Sequence, residues 1–120
     1  MLGLYLHIPF CDGKCPYCDF YSLTGNEEVK EAYTRVLENQ LAQWAETLQK
    51  QGLSPEADTL YFGGGTPNLL GGSRIARLIA AAKRYFSLEK GEITVEVNPS
   101  SELSGFFREI AAAGANRISI

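Results

Sequence analysis

Residues 4–18 read LYLHIPFCDGKCPYC, an alternating apolar segment that runs directly into three cysteines. Leu4, Leu6 and Ile8 alternate with Tyr5 and His7, the two-residue period of a strand, and Pro9 then removes a ladder donor and ends it. The segment predicts a strand that delivers a cysteine loop at its carboxyl end.

Working outward, apolar residues recur at Val29, Tyr33, Val36, Leu37, Leu41, Trp44 and Leu48, the spacing of one helical face. Asn26 is placed to cap this helix, Glu27 and Glu28 suit the positive end of its dipole, and Gly52 supplies a left-handed stop. Thr59–Phe62 then predicts a short buried strand, GGGTP (63–67) a loop, and Ser73 the cap of a helix with Ile75, Leu78, Ile79, Ala82 and Phe86 inward. Glu92–Val97 predicts a β-branched strand, Ser104–Ala113 a helix closed by Gly114, and Arg117–Ile120 a fourth strand.

The order is βαβαβαβ. Strands alternating with crossover helices make a parallel sheet, so the expected class is α/β. A closed barrel of this kind takes about 250 residues, and the sequence ends within its last strand. The expectation is one domain over residues 1–120, the N-terminal part of a partial (β/α) barrel with about four strands and three helices.

Composition narrows the function. Eleven basic against fourteen acidic residues give a net charge of -3, which offers no stripe to neutralise phosphates, so nucleic acid is not an expected partner. No apolar run reaches the roughly 20 residues of a membrane span, and MLGLYLHIPF lacks a basic leader, so the expectation is a soluble cytoplasmic protein.

Three cysteines within positions 11–18 do not suit a disulfide framework. Cys11, Cys15 and Cys18 form a CxxxCxxC array whose thiolates can converge on one inorganic centre. A structural zinc ion wants a fourth ligand, for which the sole histidine, His7, is the nearest candidate; a hydrogen-bonded strand residue inside the fold is the preferred reading of His7. A four-iron cluster on three cysteines leaves one iron open to a chelating amine and carboxylate. Two features share the rim with this loop. The glycines of GGGTP permit close approach of a ligand to the main chain, with a tight strand-to-helix turn as the alternative. Glu96 brings a carboxylate to the end of a mostly apolar strand, where it needs partners; a satisfied structural carboxylate or a solvated edge are the alternatives.

CxxxCxxC with an aromatic before the last cysteine, Tyr17, resembles the signature of the radical S-adenosylmethionine superfamily. The resemblance implies that Cys11, Cys15 and Cys18 hold a 4Fe-4S cluster, that the methionyl group of S-adenosylmethionine binds the open iron, and that Tyr17 packs near the adenine. Reductive cleavage of the cofactor would yield a 5'-deoxyadenosyl radical that abstracts hydrogen. GGGTP is similar to the family's second motif, which implies that Gly64, Gly65 and Thr66 bind the methionyl ammonium, with Gly63 serving the turn. EVNP (96–99) is similar to the strand whose glutamate binds the ribose hydroxyls, which implies that role for Glu96. Tyr5, six residues before Cys11, matches a tyrosine that contacts the methionyl group in the porphyrin-related branch, with a core aromatic as the competing view.

LYLHIPFCDGKCPYCDFYS, LYFGGGTPNLL, ITVEVNP and GANRISI together are similar, nearly end to end, to the oxygen-independent coproporphyrinogen III oxidase family and its HemW-type haem chaperones. The oxidase is marked by a further cysteine two positions after the third, where this chain has Phe20, and by a long leader before the first strand. Both differences point to the HemW-like branch, and imply haem or porphyrin as ligand, a haem-acceptor protein, and a reducing electron donor such as a flavodoxin. Coproporphyrinogen III oxidation and a plain zinc or iron-sulfur module are the competing functions.

Overall fold

Residues 2–10, 26–88, 91–98 and 103–120 are described by a computed structural model. Gly3–Ile8 form β1, Thr59–Gly64 β2, Glu92–Glu96 β3 and Arg117–Ser119 β4; Glu27–Lys50 form α1, Gly72–Tyr85 α2 and Ser104–Ala113 α3. The four strands make one parallel sheet in the order β1-β2-β3-β4. Each consecutive parallel pair is joined by a crossover containing a helix.

Strand alternation sorts the side chains into two faces. Leu6, Ile8, Leu60, Phe62, Ile93, Val95 and Val97 are buried against Leu37 and Leu41 of α1, Ile75, Leu78, Ile79 and Ala82 of α2, and Phe106 and Ile110 of α3. Each valine, leucine, isoleucine or phenylalanine among them that is fully buried contributes about 1.5–3 kcal/mol by leaving water. The opposite face carries Tyr5, His7, Tyr61, Gly63, Thr94, Glu96, Arg117 and Ser119, in register across the four strands. It is the polar face of the sheet.

Helix α1 starts as its sequence predicts, with the Asn26 side chain accepting the Val29 amide at 3.0 Å, and Gly52 beyond its end has φ +77°. Its apolar face is wider than its buried one. Thr34, Leu37, Leu41 and Ala45 are buried, whereas Val29, Val36 and Trp44 are exposed, Trp44 by 64%. Of these, Trp44 lines a groove beside β1 with Leu4 and Leu48.

Strands β3 and β4 each end one residue before the expected Val97 and Ile120, and two further boundaries move. Strand β2 continues through Gly63 and Gly64 instead of ending at Phe62, because His7 and Ile8 of β1 pair with those glycines. Ser73 does not cap α2: Gly71, at φ +100°, is the capping position and makes no side-chain cap. A one-turn 3-10 helix over Pro67–Leu70 buries Leu70 and delivers the chain to Gly71, so Ser73 already lies inside the first turn.

Arg74 and Arg77 of α2 fasten it to α1. Arg74 reaches Glu27 at 2.7 Å, and Arg77 reaches Glu31 at 2.7 Å and Glu38 at 2.9 Å. These bonds hold the Glu31 carboxyl down at about 2, Arg77 being the largest influence. Among the described residues no helix is long and apolar enough to cross a membrane.

Candidate functional site

The carboxyl ends of β1, β2 and β3 meet at one rim. Pro9 ends β1 and Phe10 follows it into the core, its ring edge-on to Tyr33 at 5.5 Å. The Ile8 carbonyl accepts the Gly65 amide at 2.9 Å and the Phe10 carbonyl accepts the Thr66 amide at 2.7 Å. A Cβ on Gly65 would lie 2.4 Å from the Phe10 carbonyl oxygen, so only glycine lets the two chain segments approach this closely. The start of the cysteine loop is thereby tied to the glycine loop. Phe10 is a functional-site support that sequence reasoning missed; its apolar character immediately before Cys11 was the available signal.

Cys11, Cys15, Cys18 and Tyr17 lie outside the described residues. Among the described residues no group of three or more histidine, cysteine, aspartate or glutamate side chains could hold a metal ion.

Glu96 is half-buried at the end of β3 and has two hydrogen-bond partners among the described residues. The Tyr61 hydroxyl donates to its Oε2 at 2.7 Å, and the Gly64 amide donates to its Oε1 at 3.1 Å. Both donors are neutral. Arg117, on the same face, is paired with Glu92 at 2.9 Å. A carboxylate has about four acceptor sites, so Glu96 retains capacity for further donors. The hydrogen bond to Glu96 raises the Tyr61 phenol above its ordinary value, keeping it a donor; desolvation adds to the rise and Ser119 opposes it.

A cavity of about 390 Å³ opens beside this carboxylate, lined by Gly65, Thr66, Glu96, Val97, Asn98, Ser119 and Ile120. Its size falls in the range of small-ligand sites. The Asn68 side chain accepts the amide of Asn98, one of the lining residues, at 3.1 Å. The glycine loop, Glu96 and this cavity thus occupy one place.

Tyr5 lies on the polar face and is 56% exposed, which excludes it from the core. Its ring stacks on Tyr61 at 5.9 Å and 16°, and its hydroxyl stands 3.3 Å from Nδ1 of His7. Burial raises the Tyr5 phenol first, and the charge of Glu96 raises it further. His7 is exposed on this face and not inside the fold, because the odd residues of β1 point away from the helices. Its carbonyl accepts from Tyr33 of α1.

The sequence model of the radical SAM superfamily matches residues 5–120. The chain belongs to the radical SAM superfamily. Among proteins similar to this superfamily member is a heme chaperone HemW from Escherichia coli (strain K12), 40% identical over 121 residues, covering 99% of this chain and 31% of that protein. A heme chaperone HemW from Mycobacterium tuberculosis (strain ATCC 25618 / H37Rv) is 38% identical over 122 residues, covering 98% and 30%. An oxygen-independent coproporphyrinogen III oxidase from Bradyrhizobium diazoefficiens is 34% identical over 120 residues, covering 98% and 26%. Among solved structures, the coproporphyrinogen III oxidase HemN from Escherichia coli, titled a radical SAM enzyme, superposes with a TM-score of 0.79 at 30% identity, covering 97% of this chain and 26% of that one. The radical SAM chain spans about 30% of the length of the HemW relatives it matches. Membership of the superfamily implies S-adenosylmethionine and a 4Fe-4S cluster as cofactors.

Proposed function

We propose that residues 1–120 are the N-terminal part of the radical SAM core of a HemW-like haem chaperone. The observation that carries the reading is the Glu96 carboxylate, half-buried, fixed by Gly64 and Tyr61, and open to a small-ligand cavity on the rim where β1 runs towards the cysteines. In this reading Cys11, Cys15 and Cys18 hold the cluster, and Glu96 accepts from the ribose hydroxyls. An ammonium is a donor, so it is the carbonyl oxygens of Gly64, Gly65 and Thr66 that receive the methionyl amine, their amides serving the fold and Glu96. Tyr5 covers the methionyl side of the rim and Tyr17 the adenine. When bound, the cluster and S-adenosylmethionine supply one-electron chemistry that no side chain of this chain offers.

The chemistry of the site supports the fit: a carboxylate with unused lone pairs beside a cavity of suitable volume that Gly65 and Thr66 line. Haem as ligand draws support from the two HemW relatives and from Phe20 standing where the oxidase has its extra cysteine. The reading carries with it a cytoplasmic setting, a reducing electron donor such as a flavodoxin, and a haem-acceptor protein.

Anaerobic reconstitution of the protein should give a brown product with about four irons per chain, able to form 5'-deoxyadenosine with reductant and to bind haem stably. Cys15→Ser should abolish the cluster while the sheet persists by circular dichroism, because the cysteine lies in a connection between β1 and α1. A colourless protein retaining zinc would overturn the reading. Oxygen-independent coproporphyrinogen III oxidation is the second reading, favoured by the structural likeness to HemN; conversion of coproporphyrinogen III to protoporphyrinogen IX would establish it in place of the first.

A further inference from the structure

Glu96 reaches the rim on a strand, and its carboxylate could rotate about three side-chain bonds unless something fixes it. The register pairs Phe62 with Val95, and continuing it sets Gly63 beside Glu96. Glycine leaves that neighbouring position empty. Tyr61, two residues earlier on the same face, leans along the strand into the gap, a diagonal that long aromatic side chains can span. A Cβ at position 63 would lie 2.8 Å from Glu96 Oε1, 2.8 Å from the Tyr61 ring and 3.0 Å from the Tyr5 hydroxyl, so all three side chains converge over this glycine. The Tyr61 ring is itself held by its stack on Tyr5.

We propose that Tyr61 is a positioning residue for the ribose of S-adenosylmethionine, acting through Glu96: its hydroxyl fixes Oε2 while the Gly64 amide fixes Oε1. The inference rests on the reading of Glu96 as the ribose ligand. The hydroxyl spends its one proton on Glu96, so it orients the carboxylate and does not itself donate to the ligand. Gly63 therefore serves more than a turn: it is the opening through which Tyr61 reaches its partner.

The test is equilibrium binding of S-adenosylmethionine to the anaerobically reconstituted protein, comparing wild type, Tyr61→Phe, Glu96→Gln and the double variant. Tyr61→Phe keeps the ring stack and should weaken binding by about tenfold, the size of one hydrogen bond to a charged group. Glu96→Gln should weaken it at least as much, and the double variant should be no weaker than Glu96→Gln alone, since both changes remove one coupled unit. Affinity for the cofactor analogue lacking both ribose hydroxyls should be the same in wild type and Tyr61→Phe, a pattern that general destabilisation would not produce. Without any cofactor, the alkaline difference spectrum of wild type minus Tyr61→Phe should report a phenol that ionises at lower pH once Glu96→Gln is introduced. Full affinity in Tyr61→Phe beside weakened binding in Glu96→Gln would overturn the positioning role and leave the ribose reading standing. Full affinity in Glu96→Gln would overturn the ribose reading and this inference with it. Should Tyr61→Phe not fold, Glu96→Asp withdraws the carboxylate from the hydroxyl while keeping its charge; undiminished affinity there would equally overturn the proposal.

Discussion

At position 65 an added methyl group would strike main chain, whereas at position 63 it would strike only side-chain ends. The Phe10 carbonyl oxygen, 2.4 Å from the added Cβ at Gly65, cannot move without pulling the hydrogen bond it receives from Thr66. Glu96, Tyr61 and Tyr5 can swing aside from Gly63. Gly65→Ala should therefore lower stability by about 1–3 kcal/mol, the usual cost of overpacking, as read by denaturant unfolding. Gly63→Ala should cost less stability but displace the Glu96 carboxylate, so that S-adenosylmethionine binding falls while the melting temperature barely changes. Equal losses of stability in the two variants would contradict the distinction. The sequence raised the triple glycine as a candidate ligand loop; which glycine meets backbone and which meets side chains follows only from the pairing of β2 with β1 and β3.

The helices were legible because their signals are local. Asn26 and Gly52 sit where the start and stop of α1 were expected, and Gly114, at φ +119°, closes α3. Asn26→Ala should destabilise the protein by about 1 kcal/mol, measurable by chemical denaturation, since the Val29 amide loses its acceptor. The bond from α1 to α2 is electrostatic and makes its own prediction. Glu31 lies at about 2 in the folded chain against an ordinary 4.5, mainly through Arg77. A depressed carboxyl contributes stability that is fully present above its unfolded value and lost as pH falls through its folded one. Stability should accordingly decline between pH 4.5 and pH 2, and Glu31→Gln should flatten that acid limb in thermal melts. Identical acid limbs would remove the network from the account. Sequence alone did not expose this network, because its partners are 46 and 39 residues apart. The misplaced cap at Ser73 has a related cause: the 3-10 turn before α2 is set by burial of Leu70, not by a capping side chain.

At the scale of the whole molecule, the helix-covered face is closed and the other surfaces are open among the described residues. An apolar groove of about 410 Å³ runs between β1 and α1, with Leu4, Leu37, Leu41, Trp44 and Leu48 among its lining, and Ile118 and Ile120 are exposed at β4. Unpaired strand edges beside exposed apolar surface favour association. A polypeptide of these 120 residues alone should self-associate or be only marginally stable; a monodisperse monomer in analytical ultracentrifugation that also unfolds only at high denaturant would contradict this. The alternating order of strands and helices predicted a parallel sheet, and the strands lie in the order β1-β2-β3-β4.

The alternation of apolar residues, the caps and the glycine stops determined by themselves that this chain is a parallel α/β fold, since each reports a backbone geometry decided within a few residues. The spacing of Cys11, Cys15 and Cys18 likewise raised the proposal of an inorganic centre, which belongs to the proposed function. Tertiary structure decided what touches what. Asn116 pairs with both main-chain groups of Ile93, at 2.8 and 3.0 Å, and Glu96 finds Tyr61 from 35 residues away. Such meetings depend on strand register, and register is fixed by the packing of the entire sheet against its helices, a quantity no local window of sequence contains.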